Sequence, residues 1–570
     1  MPILLPDKAK MKKLILVVIL IFFAIVPLID LMHPGLFIAH DSESHVARLA
    51  SFYQSLSEGN LVPRWAANLN SGYGTPILMF LYPLPEYLGS LIHFIGFSLI
   101  DSVKIVFLIG YIFSGIFMYL WAKEEWGEVA GLVAGVFYLL APYRFVDLYV
   151  RAAIGENTAF VFIPLVLWAI YKIERTLEWK YMLLGSFALT GLVLSHNAIL
   201  LMFLPIIFFY VIYRLSYSKC KKEFFSAAIF TLLIGFLLSA FFLLPAFFEG
   251  KYTLRDIVTS GDQIAKQFPA LSQLLYSKWG FGVSAVSRSG FSMQIGIVQW
   301  VVVGLGVIGL FTLWVKKERK TFVFLLFCQV IFWLTLYLMT VKSLPIWQTI
   351  TLLQKFQFPW RLLSISVFVT AVMTGIIVKV AKNNLFTFVL IAAVVFMTKD
   401  FWHAQGYFSY NDKYFINDYL GTTDTGESSP RWSIRWEEEL AKAPLEAVSG
   451  TVKITQIKRL SNLHSYEVES TTSGKLVENT LYFPGWEVYI NGKKTDIEFQ
   501  DQNHRGKMTF LIPKGRNQIT VKFNETKLRK ISDYLSLITI MCIVTVTVLK
   551  LCYAKIIRSA GNFQRRKKPR

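Results

Sequence analysis

Apolar runs about as long as a bilayer is thick recur along the chain, and they decide its fold class before any motif is considered. A helix needs roughly 20 apolar residues to cross the hydrocarbon core, where its backbone has no water to bond. Each such run is therefore expected to be a membrane-spanning helix. Charged residues make up only 17% of the 570 residues, against about 25% in a soluble domain. The usual expectation of one soluble domain per ~150 residues accordingly does not apply.

The net charge of +21 does not point to nucleic acid, because no stripe of interleaved aromatic and basic residues forms a groove. Much of the positive charge sits in short loops between apolar runs and in the tail Gln564-Arg565-Arg566-Lys567-Lys568-Pro569-Arg570. That placement is a topology signal and an attraction to anionic lipid headgroups. Lys8, Lys10, Lys12 and Lys13 precede the first apolar run, Leu14 to about Met32. The run is long and no small-residue cleavage site follows it, so it reads as a retained first span. Cys220, Cys328, Cys542 and Cys552 lie in or beside apolar or cytoplasmic segments, which implies neither a disulfide framework nor a Cys-metal site.

Topology turns on residues 77–100, apolar enough to span but carrying Pro83, Pro85, Glu86 and His93. If this segment only lies in or re-enters the outer interface, four basic loops and the basic tail all fall on the cytoplasmic side. The positive-inside rule then favours about 12 spans in the cell (plasma or inner) membrane, with both termini cytoplasmic. The expected division is a transmembrane domain over 1–398 with a long first outer loop, 33–102. An extracytoplasmic β-sandwich-like domain over 399–532 follows, then a last span and basic tail over 533–570. Strands are expected at 451–457, 465–470, 480–482, 486–490 and 507–512, with Asn491-Gly492 as a hairpin turn.

The chemistry-bearing candidates gather in the outer loops. His40-Asp41-Ser42-Glu43-Ser44-His45 opens the first. Val46, Leu49, Ala50, Tyr53 and Leu56 follow at helical spacing, so an amphipathic helix is expected from Ser42 to Glu58, stopped by Gly59. Asp41 or Ser42 caps that helix, or Asp41 acts as a base toward an acceptor hydroxyl; the two roles are compatible. Glu156 either pairs structurally with Arg144 or Arg151 or serves as a second acid. Arg151 offers a bidentate fork to a lipid phosphate or is an interface arginine. Arg361, at the outer start of a span, either snorkels or clamps a carrier phosphate. His196, beside Asn197, caps a span end or lines a substrate cavity. His40 and His45 are candidate substrate contacts, and with Asp41 they are the one conceivable metal set. No zinc-binding histidine spacing occurs.

His40-Asp41, Gly59-Asn60-Leu61-Val62-Pro63-Arg64-Trp65, Gly72-Tyr73-Gly74-Thr75-Pro76 and Tyr82-Pro83-Leu84-Pro85 succeed one another in the first loop. Further on come Ala141-Pro142-Tyr143-Arg144, Arg151-Ala152-Ala153-Ile154-Gly155-Glu156 and Gln357-Phe358-Pro359-Trp360-Arg361. In this order they resemble bacterial membrane proteins labelled 6-pyruvoyl-tetrahydropterin-synthase-related, which resemble the GT-C superfamily of membrane glycosyltransferases. The resemblance implies Asp41 as the first-loop acid and Glu156 as the second-loop acid. It also implies a polyprenyl-phosphate sugar donor, an acceptor hydroxyl on a cell-surface glycan, polymer, lipid or protein, and an inverting transfer. The second loop carries a lone glutamate where the oligosaccharyltransferase subunit has two acids, so a divalent metal is not implied. The alternative is a transporter or flippase for a lipid-linked saccharide. Such a protein is expected to place charges and broken helices near the midplane in repeated halves. Here the polar candidates sit at span ends on one side.

Overall fold

The computed structural model describes residues 8–258, 264–283 and 290–566; residues 567–570 of the basic tail lie outside the described residues, as do 259–263 and 284–289 in the loop expected to be the third on the outer side. The chain is a polytopic helical membrane protein with a β-rich region toward its C-terminus. Among the described residues nine helices are long and apolar enough to cross a membrane, or eleven if each of two bent pairs counts as one span. The bent pairs are Glu128–Leu139 with Pro142–Val150, at 48°, and Lys221–Leu238 with Ala240–Phe248, at 69°. The shorter apolar helix Trp179–Ser195, added to those eleven, gives about twelve crossings, the number that charge placement favours.

Residues 77–100 do not cross. They form a single 3-10 turn, Ile77–Met79, and an 11-residue helix, Leu84–Phe94, before the long span Leu99–Trp126 begins. At 1.5 Å per residue that helix covers about 16 Å, half of what the hydrocarbon core demands. Leu91, Phe94, Ile95 and Phe97 are exposed, as suits a helix resting on lipid at the interface.

Burial is graded across the bundle. The spans Ile154–Thr176 and Pro359–Ala381 are each 89% buried, while Lys527–Tyr553 is only 17% and Asn384–Phe401 22% buried. The first two thus form the centre of the bundle, and both begin at the same end. Chain segments that join there are tied by backbone hydrogen bonds, His40 N to Val150 O (2.9 Å), Asp41 N to Arg151 O (3.2 Å) and Leu254 N to Ser429 O (3.0 Å).

A two-residue strand β1 (Leu36–Phe37) pairs antiparallel with β2 (Tyr407–Phe408). Strands β3 (Leu445–Ser449), β4 (Val452–Arg459), β5 (Leu463–Ser470), β6 (Gly474–Leu481), β7 (Trp486–Ile490), β8 (Lys493–Thr495), β9 (Lys507–Ile512) and β10 (Gly515–Phe523) build two antiparallel sheets. One has the order β4-β5-β10-β7-β8 and the other β3-β6-β9. Asn491 and Gly492 both have positive φ, +50° and +80°, and Ile490 pairs with Lys493, the arrangement of a two-residue hairpin turn. The expected 480–482 strand is the end of a longer one, and β3, β8 and β10 add to the expected set. Trp486 is buried against Trp65 of the first loop (ring centroids 5.4 Å apart). It is therefore part of the core.

Candidate active site

The two most enclosed spans each bring one charged side chain to the same point. Glu156 lies in the first turn of Ile154–Thr176, where the helix dipole favours an anion. Arg361 stands in the turn Pro359–Leu362 that opens the other. Arg361 Nε donates to Glu156 Oε1 at 2.8 Å, and Arg151 Nη2 donates to the same oxygen at 2.9 Å. Tyr143 donates to Oε2 at 3.0 Å and Ser364 at 3.4 Å. Every lone-pair direction of this buried carboxylate is taken, and its residue is 1% exposed. Arg151 also donates to buried Asp147, at 2.5 Å, and its guanidinium lies 4.7 Å from the Trp360 ring centroid. Arg361 Nη1 is bound to Phe356 O (2.8 Å) and Gln357 Oε1 (3.2 Å), while its Nη2 donates to no described residue.

Close packing makes this convergence possible. A Cβ on Gly155 would lie 2.5 Å from Tyr82 and 2.7 Å from Ser195 O. Gly155→Ala should therefore overpack the junction and lower stability by about 1–3 kcal/mol. Thermal unfolding in detergent checks this, and an unchanged melting temperature would show that the junction yields freely.

Asp41 occupies the N-cap position of the helix Ser42–Ser57, yet its side chain makes no capping bond. Capping by Asp41 is thus overturned, and Ser42, inside the helix, instead bonds back to Ala39 O at 3.3 Å. The carboxylate remains solvent-accessible within a recess walled by protein. Its surroundings push its pKa up from the ordinary aspartate range. Desolvation is the main cause, opposed by the nearby Arg151, Arg48, His40 and Arg361 charges. His40 is accessible beside it and bonds Gly282 O at 3.1 Å. Burial draws its pKa down from the ordinary histidine range.

His45 points the other way. Its Nε2 donates to Ala152 O at 2.7 Å and its Nδ1 accepts from Arg48 at 3.2 Å. That commits both nitrogens and makes it a clamp on the loop 151–153, where Ala152 takes a left-handed φ of +53°. Burial, with Arg48 beside it, holds its pKa down to about 3, in keeping with the neutral ring. His196 caps Asn197–Tyr217 by accepting from Ile199 N at 3.4 Å and stacks on Tyr82 with centroids 5.1 Å apart. With His45 committed, His40, Asp41 and His45 do not fit a metal, and among the described residues no group of three potential ligands converges.

Several residues not singled out from the sequence complete the site. Arg48 bridges Thr423 O (2.8 Å) and Glu86 (4.0 Å), whose burial pushes its carboxyl pKa up to about 7. Tyr143 belongs to the Ala141–Arg144 motif and Asp147 follows it, and the four-residue spacing of Asp147 and Arg151 is a readable signal. Glu427 comes from the segment before the β sheets. It shares the field of Arg361, and burial raises its pKa; no local pattern announces it.

No protein-family model matches the chain. A curated relative, an uncharacterized protein of Lactococcus lactis subsp. cremoris, is 27% identical over 240 residues, 40% of this chain and 38% of its own length. Among solved structures, the mycobacterial arabinofuranosyltransferase AftD shares a TM-score of 0.40 at 12% identity, over 68% of this chain and 27% of that one. The Archaeoglobus fulgidus oligosaccharyltransferase, solved with zinc and sulfate, gives 0.40 at 15%, over 72% and 53%. ArnT of Cupriavidus metallidurans, bound to undecaprenyl phosphate, gives 0.30 at 12%, over 65% and 77%. The chain thus spans about two fifths of the matched relative and up to about half of the first two structures. At these TM-scores the functional reading rests on the geometry of the site itself.

Proposed function

We propose that the protein is a membrane glycosyltransferase of the GT-C kind, moving a sugar from a polyprenyl-phosphate carrier to an acceptor hydroxyl on the outer face. The observation that carries this reading is an accessible, uncapped carboxylate within the electrostatic field of a fixed pair of arginines at one end of the bundle. The acceptor oxygen attacks the anomeric carbon as the bond from that carbon to the phosphate oxygen breaks. Asp41 takes the hydroxyl proton, and the electron pair leaves with the phosphate. Arg361 and Arg151 meet the charge that builds on that leaving group. Attack from the face opposite the phosphate gives inversion. Glu156, with no lone pair to spare, positions the two arginines rather than acting on substrate. The carrier's tail requires the reaction to run at the membrane boundary, where the interfacial helix Leu84–Phe94 rests.

The direct test is sugar release from radiolabelled polyprenyl-phosphate-hexose donors in proteoliposomes. No turnover with any donor, together with lipid-linked saccharide flipping in the same vesicles, would overturn the reading in favour of a flippase. Within it, Arg361→Ala should weaken carrier binding about tenfold to a hundredfold, the range for a charge-assisted hydrogen bond of roughly 1.5–3 kcal/mol. Arg361→Lys should recover little of this, because an ammonium lacks the planar fork that meets Glu156 and phosphate together. Binding of polyprenyl phosphate to the folded fraction checks it, and undiminished affinity in Arg361→Ala removes Arg361 from the phosphate site.

A further inference from the structure

Beside the site described above, a cavity of about 540 Å³ opens between the start of the span Leu99–Trp126 and the segment following β2. Its wall includes Ser98, Asp101, Tyr410, Asn411, Asp412 and Lys413. Asp412 Oδ2 accepts from Leu99 N at 2.9 Å, while its Oδ1 is buried and has no partner. The carboxylate within a ligand's reach here is that of Asp101, acceptor-only and so matched by a donor such as a hydroxyl. Asp101 is half exposed and receives Ser98 Oγ at 2.8 Å and Lys104 at 2.9 Å. Asp101, paired with the buried Lys104 that does not itself line the wall, and Asp412 beside Lys413 leave the cavity close to neutral, which disfavours a polyanion.

From this cavity a row of half-exposed tyrosines runs toward Asp41. Tyr410 and Tyr414 stack with centroids 4.4 Å apart and planes within 6°, and Tyr414 meets Tyr419 at 6.4 Å. Tyr419 OH lies 3.4 Å from Ser44 Oγ, three residues beyond Asp41. Tyrosine presents an apolar face and a polar tip, and hydroxyl-rich rings with apolar C–H faces complement both. All three rings also pack around buried Phe415, and Tyr410 against Phe408, so each is anchored yet stays half-exposed.

We propose that this cavity and the row Tyr410–Tyr414–Tyr419 form a track for an uncharged acceptor glycan, feeding its reactive end to Asp41. The proposal rests on the transferase reading and names its acceptor class: a chain of several sugars rather than a lipid, a protein side chain or an anionic polymer.

The test uses the full-length protein in nanodiscs and cell-envelope polysaccharide fragments from the producing organism, separated by charge and by size. Saturation-transfer NMR titrations measure the affinity of neutral fragments of two and of six or more sugars. The longer fragments should bind about tenfold tighter, and Tyr410→Ala should erase most of that advantage, read on the folded fraction of the variant. Tyr410→Phe, which keeps the stacking face, should retain it. Equal affinity for short and long fragments, tighter binding of anionic fragments, or full long-fragment affinity in Tyr410→Ala overturns the track. If the length preference appears but no donor is ever turned over, the transferase reading fails while the track stands.

Discussion

Asp41→Asn should reduce sugar transfer by a factor of about 10²–10⁴, the usual contribution of a positioned general base, while leaving donor affinity within about twofold. The substitution keeps shape and polarity and removes only the capacity to take a proton. Its geometry argues for this outcome, since the carboxylate stands at a helix start without capping it and remains accessible in a protein-walled recess. The pH profile supplies an independent readout. Desolvation outweighs the nearby arginines and raises the Asp41 pKa. The base form is therefore gained as pH rises, and the acidic limb of kcat/KM should lie above the ordinary aspartate range. Stability moves in the other direction. A carboxyl whose folded pKa is raised costs folded-state stability that builds as pH rises from the unfolded pKa to the folded one and stays constant above it, because the unfolded chain accommodates the charge better. At neutral pH, Asp41→Ala should consequently melt no lower than wild type. Loss of a working N-cap would instead cost about 0.5–2 kcal/mol. Wild-type turnover in Asp41→Asn, or a clearly lowered melting temperature in Asp41→Ala, would return this residue to a structural role.

The parts of this molecule that the sequence states plainly are those governed by local periodicity. Runs of apolar residues give the spans, the spacing from Val46 to Leu56 gives the helix Ser42–Ser57, and Asn491-Gly492 gives its hairpin. That residues 77–100 do not span was readable for a different reason: Pro83, Pro85, Glu86 and His93 leave the run ambiguous, and the basic loops fall on one side only if it does not cross; the short helix Leu84–Phe94 itself was not legible there. Strand β10 was harder to see. Buried Asn517, Ile519, Val521 and Phe523 do alternate, but the polar start Gly515–Gln518 hides the pattern. Site assembly was legible only in part. Asp41, Glu156, Arg151 and Arg361 stand out as charges at span ends, yet that four-way carboxylate saturation of Glu156 joins residues up to 208 positions apart. Pairing at such separations leaves no trace in spacing. Arg48 was hidden because a buried arginine on an apolar helix face looks like a surface residue until its partners, Thr423 and Glu86, are brought to it.

Glu156→Ala should be the most destabilising single substitution at the site. It strands two buried guanidinium groups, those of Arg151 and Arg361, which now share Oε1 of one carboxylate. Removing one partner of a buried ion pair typically costs about 3–5 kcal/mol, because the remaining charge stays in a poorly solvated place. Asp147 holds one corner of Arg151 and leaves Arg361 with only neutral acceptors, Phe356 O and Gln357 Oε1. Glu156→Gln, which keeps one acceptor oxygen without the charge, should fall between the alanine variant and wild type. The same reasoning predicts a change in ligand response. Without Glu156, a polyprenyl phosphate becomes the anion nearest the arginine pair, so adding it should raise the melting temperature of the variant more than that of wild type. Melting in nanodiscs with and without the lipid phosphate measures both effects. A chemical role for Glu156 predicts the reverse pattern, in which Glu156→Gln melts like wild type and only turnover is lost. That result would move Glu156 from positioning the arginines to acting on the substrate, and would require Ser364 or Tyr143 to release its Oε2 during the reaction.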